Sequence, residues 1–466
     1  MDKSTFDLAV IGAGSAGFSA AIAAAGQGAK VALIGHGTIG GTCVNIGCVP
    51  SKTLIRAAET LHQAKTANRF RGIEANAKVA DWSVVLSEKK ALVEGLRQAK
   101  YVDLLPAYNS VAYLEGRAQL VDGGVFVNGT LAKAGKVIIA TGSAPSLPPI
   151  DGLADVPYLT STTALELDHL PVSMIVVGGG VIGCELGQMF ARMGTKVTLL
   201  CRSRLLPNGE PEISDALASY LRAEGVNVVC GAVYKSIRKD GTICLGYVQD
   251  GQHHDLIADE ILVATGRQPS TSGLGLEKLG VELLPNGGIK VDDRMRTTRK
   301  GVYAAGDVTG RDMFVYMAAY GAKIAAENAL NGDSRRYDNT AIPEVVFTDP
   351  QVATVGLTEA AAKAEGIPVR TSVLSLAYVP RALAARDTRG LIKLVAEAGS
   401  KRLLGAHILA PEGADSIQTA VLAIKHGMTT DELGAMVFPY LTTVEGLKLA
   451  AQTFDRDVAK LSCCAG

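Results

Sequence analysis

Two copies of one glycine-loop pattern constrain this chain more than any other feature. Asp7-Leu-Ala-Val-Ile-Gly12 is an apolar run that leads through Gly12-Ala-Gly-Ser-Ala-Gly17 into an alanine-rich helical stretch. Lys30 to Ile34 then reads as a second strand. The pattern returns at Met174-Ile-Val-Val-Gly-Gly-Gly-Val-Ile-Gly183, with a helix through Arg192 and a strand from Lys196 to Leu200. A lone G-x-G-x-x-G carries little weight. A strand before it, a helix opening on it and a second strand after it form the context in which the motif binds a dinucleotide. Glycines let the backbone approach a pyrophosphate closely, and the helix N-terminus offers free N–H groups and the positive end of its dipole. Two such units imply two dinucleotides, a flavin at the first and a nicotinamide at the second.

Each copy ends in a similar strand and turn, Val137-Ile-Ile-Ala-Thr-Gly142 and Ile261-Leu-Val-Ala-Thr-Gly266. Pro- and Ser-bearing segments near Pro145–Pro149 and Gln268–Ser272 suggest crossings between domains. Val302-Tyr-Ala-Ala-Gly-Asp307 reads as a further strand ending in an acid, followed by a helix from about Tyr316 to Leu330. Beyond Asn339 short strands mix with amphipathic helices, the mark of a separate α+β domain. The expected fold is therefore α/β: two Rossmann-like dinucleotide-binding domains and a C-terminal α+β domain. The expected boundaries are 1–145 and 271–338 for the two parts of the flavin domain, 146–270 for the nicotinamide domain and 339–466 for the last.

Composition narrows the function. There are 52 glycines among 466 residues, above the usual share of about 7%. They cluster at strand–helix turns, as nucleotide loops require. Lys+Arg and Asp+Glu are both 46. That balance argues against nucleic acid or a membrane surface as the main partner. No apolar run reaches the ~18 residues needed to span a bilayer, and the N-terminal residues pass directly into a strand with no signal-like segment. The expected location is the cytoplasm. Structural disulfides are rare there, so the eight cysteines are not expected to form a framework. Cys184, Cys201, Cys230 and Cys244 stand singly in apolar surroundings and read as small buried hydrophobes. Two pairs call for chemistry: Cys43 and Cys48 in Gly-Gly-Thr-Cys-Val-Asn-Ile-Gly-Cys-Val-Pro-Ser-Lys, and Cys463-Cys464 near the end.

With both loops, the Cys43/Cys48 motif and the Gly306-Asp307 strand, the chain resembles the flavoprotein disulfide oxidoreductases over essentially its whole length. Within that family, Cys463-Cys464-Ala-Gly, Phe438-Pro-Tyr-Leu-Thr-Thr-Val-Glu445 and Val346-Phe-Thr-Asp-Pro-Gln resemble the branch that reduces mercuric ion. The resemblance implies that Gly12, Gly14, Ala16 and Gly17 cradle the FAD pyrophosphate and that Gly37, Thr42, Thr141 and Gly142 line the same cofactor. It places Asp307 on the flavin chain, Val315 near the flavin's pyrimidine edge and Ala118 near the adenine. Cys43 and Cys48 would form the redox disulfide, with Cys48 the thiolate beside the flavin and Cys43 the exchanging sulfur. Lys52 would lie near the flavin and pair with Glu185, while Gly178, Gly180 and Gly183 would hold the nicotinamide dinucleotide. Residue physics agrees: a thiolate needs a cation or helix N-terminus to lower its pKa, and Lys52 follows Cys48 by one helical turn.

The strand after the second loop ends at Leu200-Cys201-Arg202-Ser203-Arg204. NAD sites usually place an acid there. Its absence, with Arg202 and Arg204 as candidates for a 2′-phosphate, favours NADPH. The first loop departs from the pattern too, because Gly35-His36 stands where an acid usually grips the adenosine ribose. Val181 stands where disulfide-reducing relatives often carry a Tyr over the nicotinamide pocket.

Disulfide-reducing relatives carry a His-Pro followed by Glu to protonate the leaving thiol. Here Phe438 occupies the histidine position, followed by Pro439, Tyr440 and Glu445, and the closest histidine is His426. Phenylalanine cannot transfer protons. Hg(II) is soft and favours thiolates, so its reduction has no need of that proton. The expected substrate is thiol-bound Hg(II), held by Cys463/Cys464 and then Cys43/Cys48. Tyr440 and Glu445 are counted with the catalytic group. The resemblance implies a homodimer whose tail serves the partner's site. The alternative is a FAD-dependent disulfide reductase of the thioredoxin reductase type.

Overall fold

The computed structural model describes residues 5–460, so Cys463 and Cys464 lie outside the described residues. The first apolar run forms Thr5–Ile11 in a seven-stranded sheet. Val31–Gly35 and Thr130–Ile139 flank it in parallel, and Val111–Glu115 extends the sheet beyond Val31–Gly35. Thr130–Ile139 is long enough to serve two partners on its outer edge: antiparallel Gly124–Val127 along its first half and parallel Val302–Ala304 along its second. Leu8, Val10, Leu33 and Ile138 are fully buried, as strands covered on both faces require. One face carries the helices Ser15–Ala25 and Val315–Asn331, whose contact is alanine on alanine: Ala16, Ala20 and Ala24 from the first, Ala318, Ala322 and Ala325 from the second. Such small side chains let two helices close-pack without voids.

The second unit is a four-stranded parallel sheet in the order Asn227–Val229, Lys196–Leu200, Ser173–Val177, Glu260–Val263. A three-stranded antiparallel sheet, Val233–Asp240, Thr242–Gln249 and Gln252–Ala258, packs against it. Asp250-Gly251, both at positive φ, forms the tight turn of its second hairpin. The chain passes between the first two units along a short antiparallel pair, Ser143–Pro145 with Arg267–Pro269. The third unit is a five-stranded antiparallel sheet, in which Gln351–Gly356 and Leu403–Ala410 lie side by side under the helix Gly413–Lys425, while Glu445–Gln452 packs on Val369–Ser375 and Leu391–Glu397. The α/β fold with a C-terminal α+β unit is as expected, and most elements expected from sequence begin and end within about three residues of their observed limits, whereas the strand read as starting at Val137 starts at Thr130. The helix Trp82–Arg97 has no counterpart among them. No described helix is long and apolar enough to cross a membrane.

One expectation is overturned. Cys201 and Cys230 do not stand singly: their sulfurs are 3.3 Å apart. Each ends one of two adjacent parallel strands, and the register Leu200↔Val229 makes the next residue on each strand a neighbour. Sequence spacing gives no hint of this, because register is a property of the folded sheet.

Buried charge joins the units. Arg192 of the second unit is hydrogen-bonded to Glu224 at 2.7 Å and to Asp349 of the third at 2.9 Å. Lys393, 2% exposed, lies within 2.9 Å of Glu210, Glu212 and Glu359. Burial works against the Lys393 charge, but three carboxylates outweigh it and hold its pKa above the ordinary lysine value.

Candidate active site

Cys43 and Cys48 sit where one helix ends and the next begins. Gly41–Ile46 is a short helix carrying Cys43, Gly47 breaks it, and Cys48 is the first residue of Cys48–Lys65. Gly41, at φ +68°, packs on the first nucleotide loop so closely that a Cβ there would lie 2.6 Å from Gly14 Cα. The thiol motif and the first loop are thus pressed together through glycine alone.

Both sulfurs are thiols in this structure. Cys43 donates to Cys48, and this hydrogen bond, aided against burial by the Lys52 ammonium, draws the Cys48 pKa down to about 7. The same bond and burial push the Cys43 thiol well above its ordinary value. Cys48 at the start of a helix also feels the positive end of its dipole. The negative charge of the pair therefore falls on Cys48, whose thiolate gains population through neutral pH, while Cys43 keeps its proton.

Lys52 is positioned by three units. Its Nζ lies 2.6 Å from Glu185 Oε2 and 4.9 Å from the centre of the Phe347 ring. Glu185, 4% exposed, accepts at its other oxygen from the Phe347 N–H at 2.8 Å. The expected Lys52–Glu185 pair is present, and Phe347 is a partner that the sequence does not announce.

These groups face a cavity of about 1000 Å³ that runs between the first two units. Gly12, Gly14, Ala16, Gly37, Thr42, Ala118, Thr141, Gly142, Asp307 and Val315 line it together with Cys43, Cys48, Lys52 and Glu185. Ser15–Ala25 opens on it with no side-chain cap and no acid in its first turn, so its free N–H groups suit a pyrophosphate. Over Gly37 and Gly142 a Cβ would meet nothing within 4 Å. The residues present fit a flavin dinucleotide. Asp307 is held in place: Ser143 Oγ donates to it at 2.6 Å, and Arg267 Nε donates to Ser143 Oγ at 2.8 Å. Neither Ser143 nor Arg267 stands out in the sequence, where each is one polar residue in a crossing segment.

Gly17 does not line the cavity. A Cβ there would lie 1.7 Å from Gly12 O, so its role is to let the helix approach the strand end. Gly183 repeats this at the second loop, 1.9 Å from Gly178 O. Gly178, at φ +118°, makes the turn, and Gly180 faces open space. Val181 and Ile182 line the far end of the same cavity. Val181–Met193, like the first helix, has no side-chain cap and no acid in its first turn, which suits a second pyrophosphate.

The family described as pyridine nucleotide-disulphide oxidoreductase matches residues 6–323. Its dimerisation domain matches residues 342–451. The chain belongs to the pyridine nucleotide-disulphide oxidoreductase family. A mercuric reductase of Lysinibacillus sphaericus is 47% identical over 100% of this chain and 86% of its own. One of Streptomyces lividans is 48% identical over 99% of this chain and 98% of its own. Among solved structures, the HOCl-induced flavoprotein disulfide reductase RclA from Escherichia coli, in its Cu(II) complex, is 30% identical with a TM-score of 0.85, covering 96% of this chain and 99% of that one.

As an oxidoreductase of this family the chain shows three local departures. Gly35 stands where an acid is usual, and a Cβ there would lie 2.5 Å from the Tyr113 hydroxyl. Tyr113 fills the space an acidic side chain would need, and the exposed His36 lines the cavity instead. Arg204 braces its own loop through Nη2, which donates to Pro207 O at 3.0 Å and Gly209 O at 2.7 Å. Arg202 is exposed on the same loop. Tyr440 and Glu445 lie outside the cavity, on the third unit. Tyr440 is half exposed, whereas Glu445 is buried, accepts from the Leu441 N–H at 3.2 Å and is raised in pKa by that burial.

Proposed function

We propose that this oxidoreductase uses NADPH and FAD to reduce thiol-bound Hg(II) to Hg(0), as a mercury detoxification enzyme. The observation that carries the reading is the Cys43/Cys48 pair, hydrogen-bonded sulfur to sulfur at a shared cavity, in a chain whose C-terminal proton-donor position is Phe438. Mercuric reductases nearly half identical over the whole chain support it. When bound, FAD supplies a path for two electrons from the nicotinamide.

The chain's own residues do the rest. Cys48 attacks Hg(II) as the thiolate, and one small thiolate departs with the charge it carried in the complex. Cys43 then replaces the second, passing its proton to that leaving sulfur. Two electrons reduce the metal, and both cysteine sulfurs leave it as thiolates beside Lys52. Lys52, fixed by Glu185, favours the anionic state throughout. Arg202 is the ligand proposed for the NADPH 2′-phosphate.

We assign delivery to Cys463 and Cys464 acting in a homodimer, each tail serving the partner's cavity near Tyr440 and Glu445. Replacing both tail cysteines by alanine should leave NADPH-dependent flavin bleaching intact and remove turnover with Hg(II) complexed by excess thiol. Unchanged turnover would end the delivery role. Cys43→Ala or Cys48→Ala should abolish Hg(0) release at full FAD content; release at the wild-type rate would overturn the central reading.

A further inference from the structure

We propose that Cys201 and Cys230 form a second dithiol site, for a soft two-coordinate cation of the Hg(II) class, directly beneath the nicotinamide loop. The two sulfurs are 3.3 Å apart, without a bond between them. Sheet register sets their backbones side by side: Cys201 follows Lys196–Leu200, Cys230 follows Asn227–Val229, and Leu200 is paired with Val229. The backbone of the pair is stitched as well, since Cys201 N–H donates to Val229 O at 2.9 Å and Ala232 N–H donates to Cys201 O at 3.0 Å. Two thiols so placed present a high effective concentration to a metal, against which free monothiols compete poorly.

Access and charge both favour Cys230 as the entry sulfur. Cys201 is buried, whereas Cys230 is partly exposed. The Cys201 thiol donates to Cys230, and Arg222 adds a positive charge, so the Cys230 pKa falls to about 7 against the opposing effect of burial. Loading is ligand exchange without redox. The Cys230 thiolate forms a metal–sulfur bond as one small thiolate leaves, and Cys201 forms the second bond while its proton goes to the other leaving thiolate. Cys184, fully buried and directed at Gly179 O at 3.5 Å, takes no part.

The site adjoins the second nucleotide loop. A Cβ at Gly179 would lie 2.8 Å from Cys201 Cβ and 3.3 Å from its sulfur. The loop backbone thus rests on Cys201, in the position where NAD-binding relatives place their ribose-binding acid.

The proposal concerns binding and is separable from turnover. The test uses the full-length FAD-loaded protein with Cys43, Cys48, Cys463 and Cys464 all changed to alanine. It is mixed with mercuric chloride in excess free cysteine, then desalted and assayed for mercury per chain. One retained equivalent is expected. Cys230→Ser in that background should remove it, as should Cys201→Ala, while Cys244→Ser should keep it; bound FAD reports that each variant is folded. No retained mercury in the parent, or retention unchanged by Cys230→Ser in FAD-replete protein, would overturn the site. Failure of Hg(0) production by the wild type, with the equivalent still held here, would count against the proposed reaction alone.

Discussion

Cys48 owes its acidity to neighbours within its own motif. The Cys43 thiol acts first, then the Lys52 ammonium, against the cost of burial and the Glu185 carboxylate. In NADPH-reduced enzyme, alkylation of Cys48 should rise with pH through a midpoint of about 7, because the thiolate form gains population above it. Lys52→Met should raise that midpoint, and a midpoint one pH unit higher would slow alkylation at pH 7 by about fivefold. An unmoved midpoint, read by mass spectrometry of the labelled peptide, would remove Lys52 from the account. At Gly35 the expected outcome runs against a simple repair. Gly35→Glu should lower FAD retention in spite of restoring the usual acid, because Tyr113 and the Ala13 Cβ already occupy the space; faster flavin release on dilution is expected, and unchanged release would contradict it. The cysteine motif and the loop glycines were legible because their chemistry is written in consecutive residues. Tyr113, Phe347 and the Cys201/Cys230 contact were not, because each depends on which strands or units become neighbours.

Among the elements, Val181–Met193 carries more joints than its length suggests. Its N-terminus serves the second loop, and one face presents Glu185, Gln188 and Arg192, all buried, to Lys52 and to the third unit. Glu185→Ala should strip the partner from Lys52 and leave the Phe347 N–H unsatisfied. The expected cost is about 1–3 kcal/mol in urea unfolding, with a loss of activity larger than the stability change alone produces; a silent substitution would refute the joint. Gly183→Ala should be at least as damaging, about 1–3 kcal/mol by overpacking, because its methyl would strike Gly178 O. The two βαβ units were readable from apolar runs and loop glycines. The hairpin at Asp250-Gly251 carries a turn signal that motif-level reading passes over. Trp82–Arg97 lacks a motif, and its buried residues Trp82, Leu86, Lys89 and Val93 declare a helical face only when packed.

At the scale of the molecule, three units are held in register around one cavity by buried ion pairs. Lys393→Met would leave Glu210, 2% exposed, without its cation, for an expected loss of about 3–5 kcal/mol. The acid side of the stability profile should change as well. Glu212 and Glu359 titrate below their ordinary 4.5 when folded: burial opposes this at Glu212, but the Lys393 hydrogen bond, a backbone hydrogen bond and the Lys393 charge together outweigh it, and Lys363 and then Lys393 lower Glu359. Their contribution is therefore complete above pH 4.5 and is lost as pH falls through their folded values. Lys393→Met should flatten that loss; an unchanged acid profile in thermal unfolding would contradict it. The order of domains was visible in the sequence, because each begins with its own pattern. The ion pairs between them were not, since Glu210, Asp349 and Lys393 read as ordinary surface charges until the units meet. The central claim is the reaction, and its direct measurement couples NADPH oxidation to trapped mercury vapour. With Hg(II) in excess thiol, one Hg(0) should appear per NADPH consumed, and glutathione disulfide should elicit no comparable oxidation. NADPH consumed with the disulfide, and no mercury released, would contradict the account.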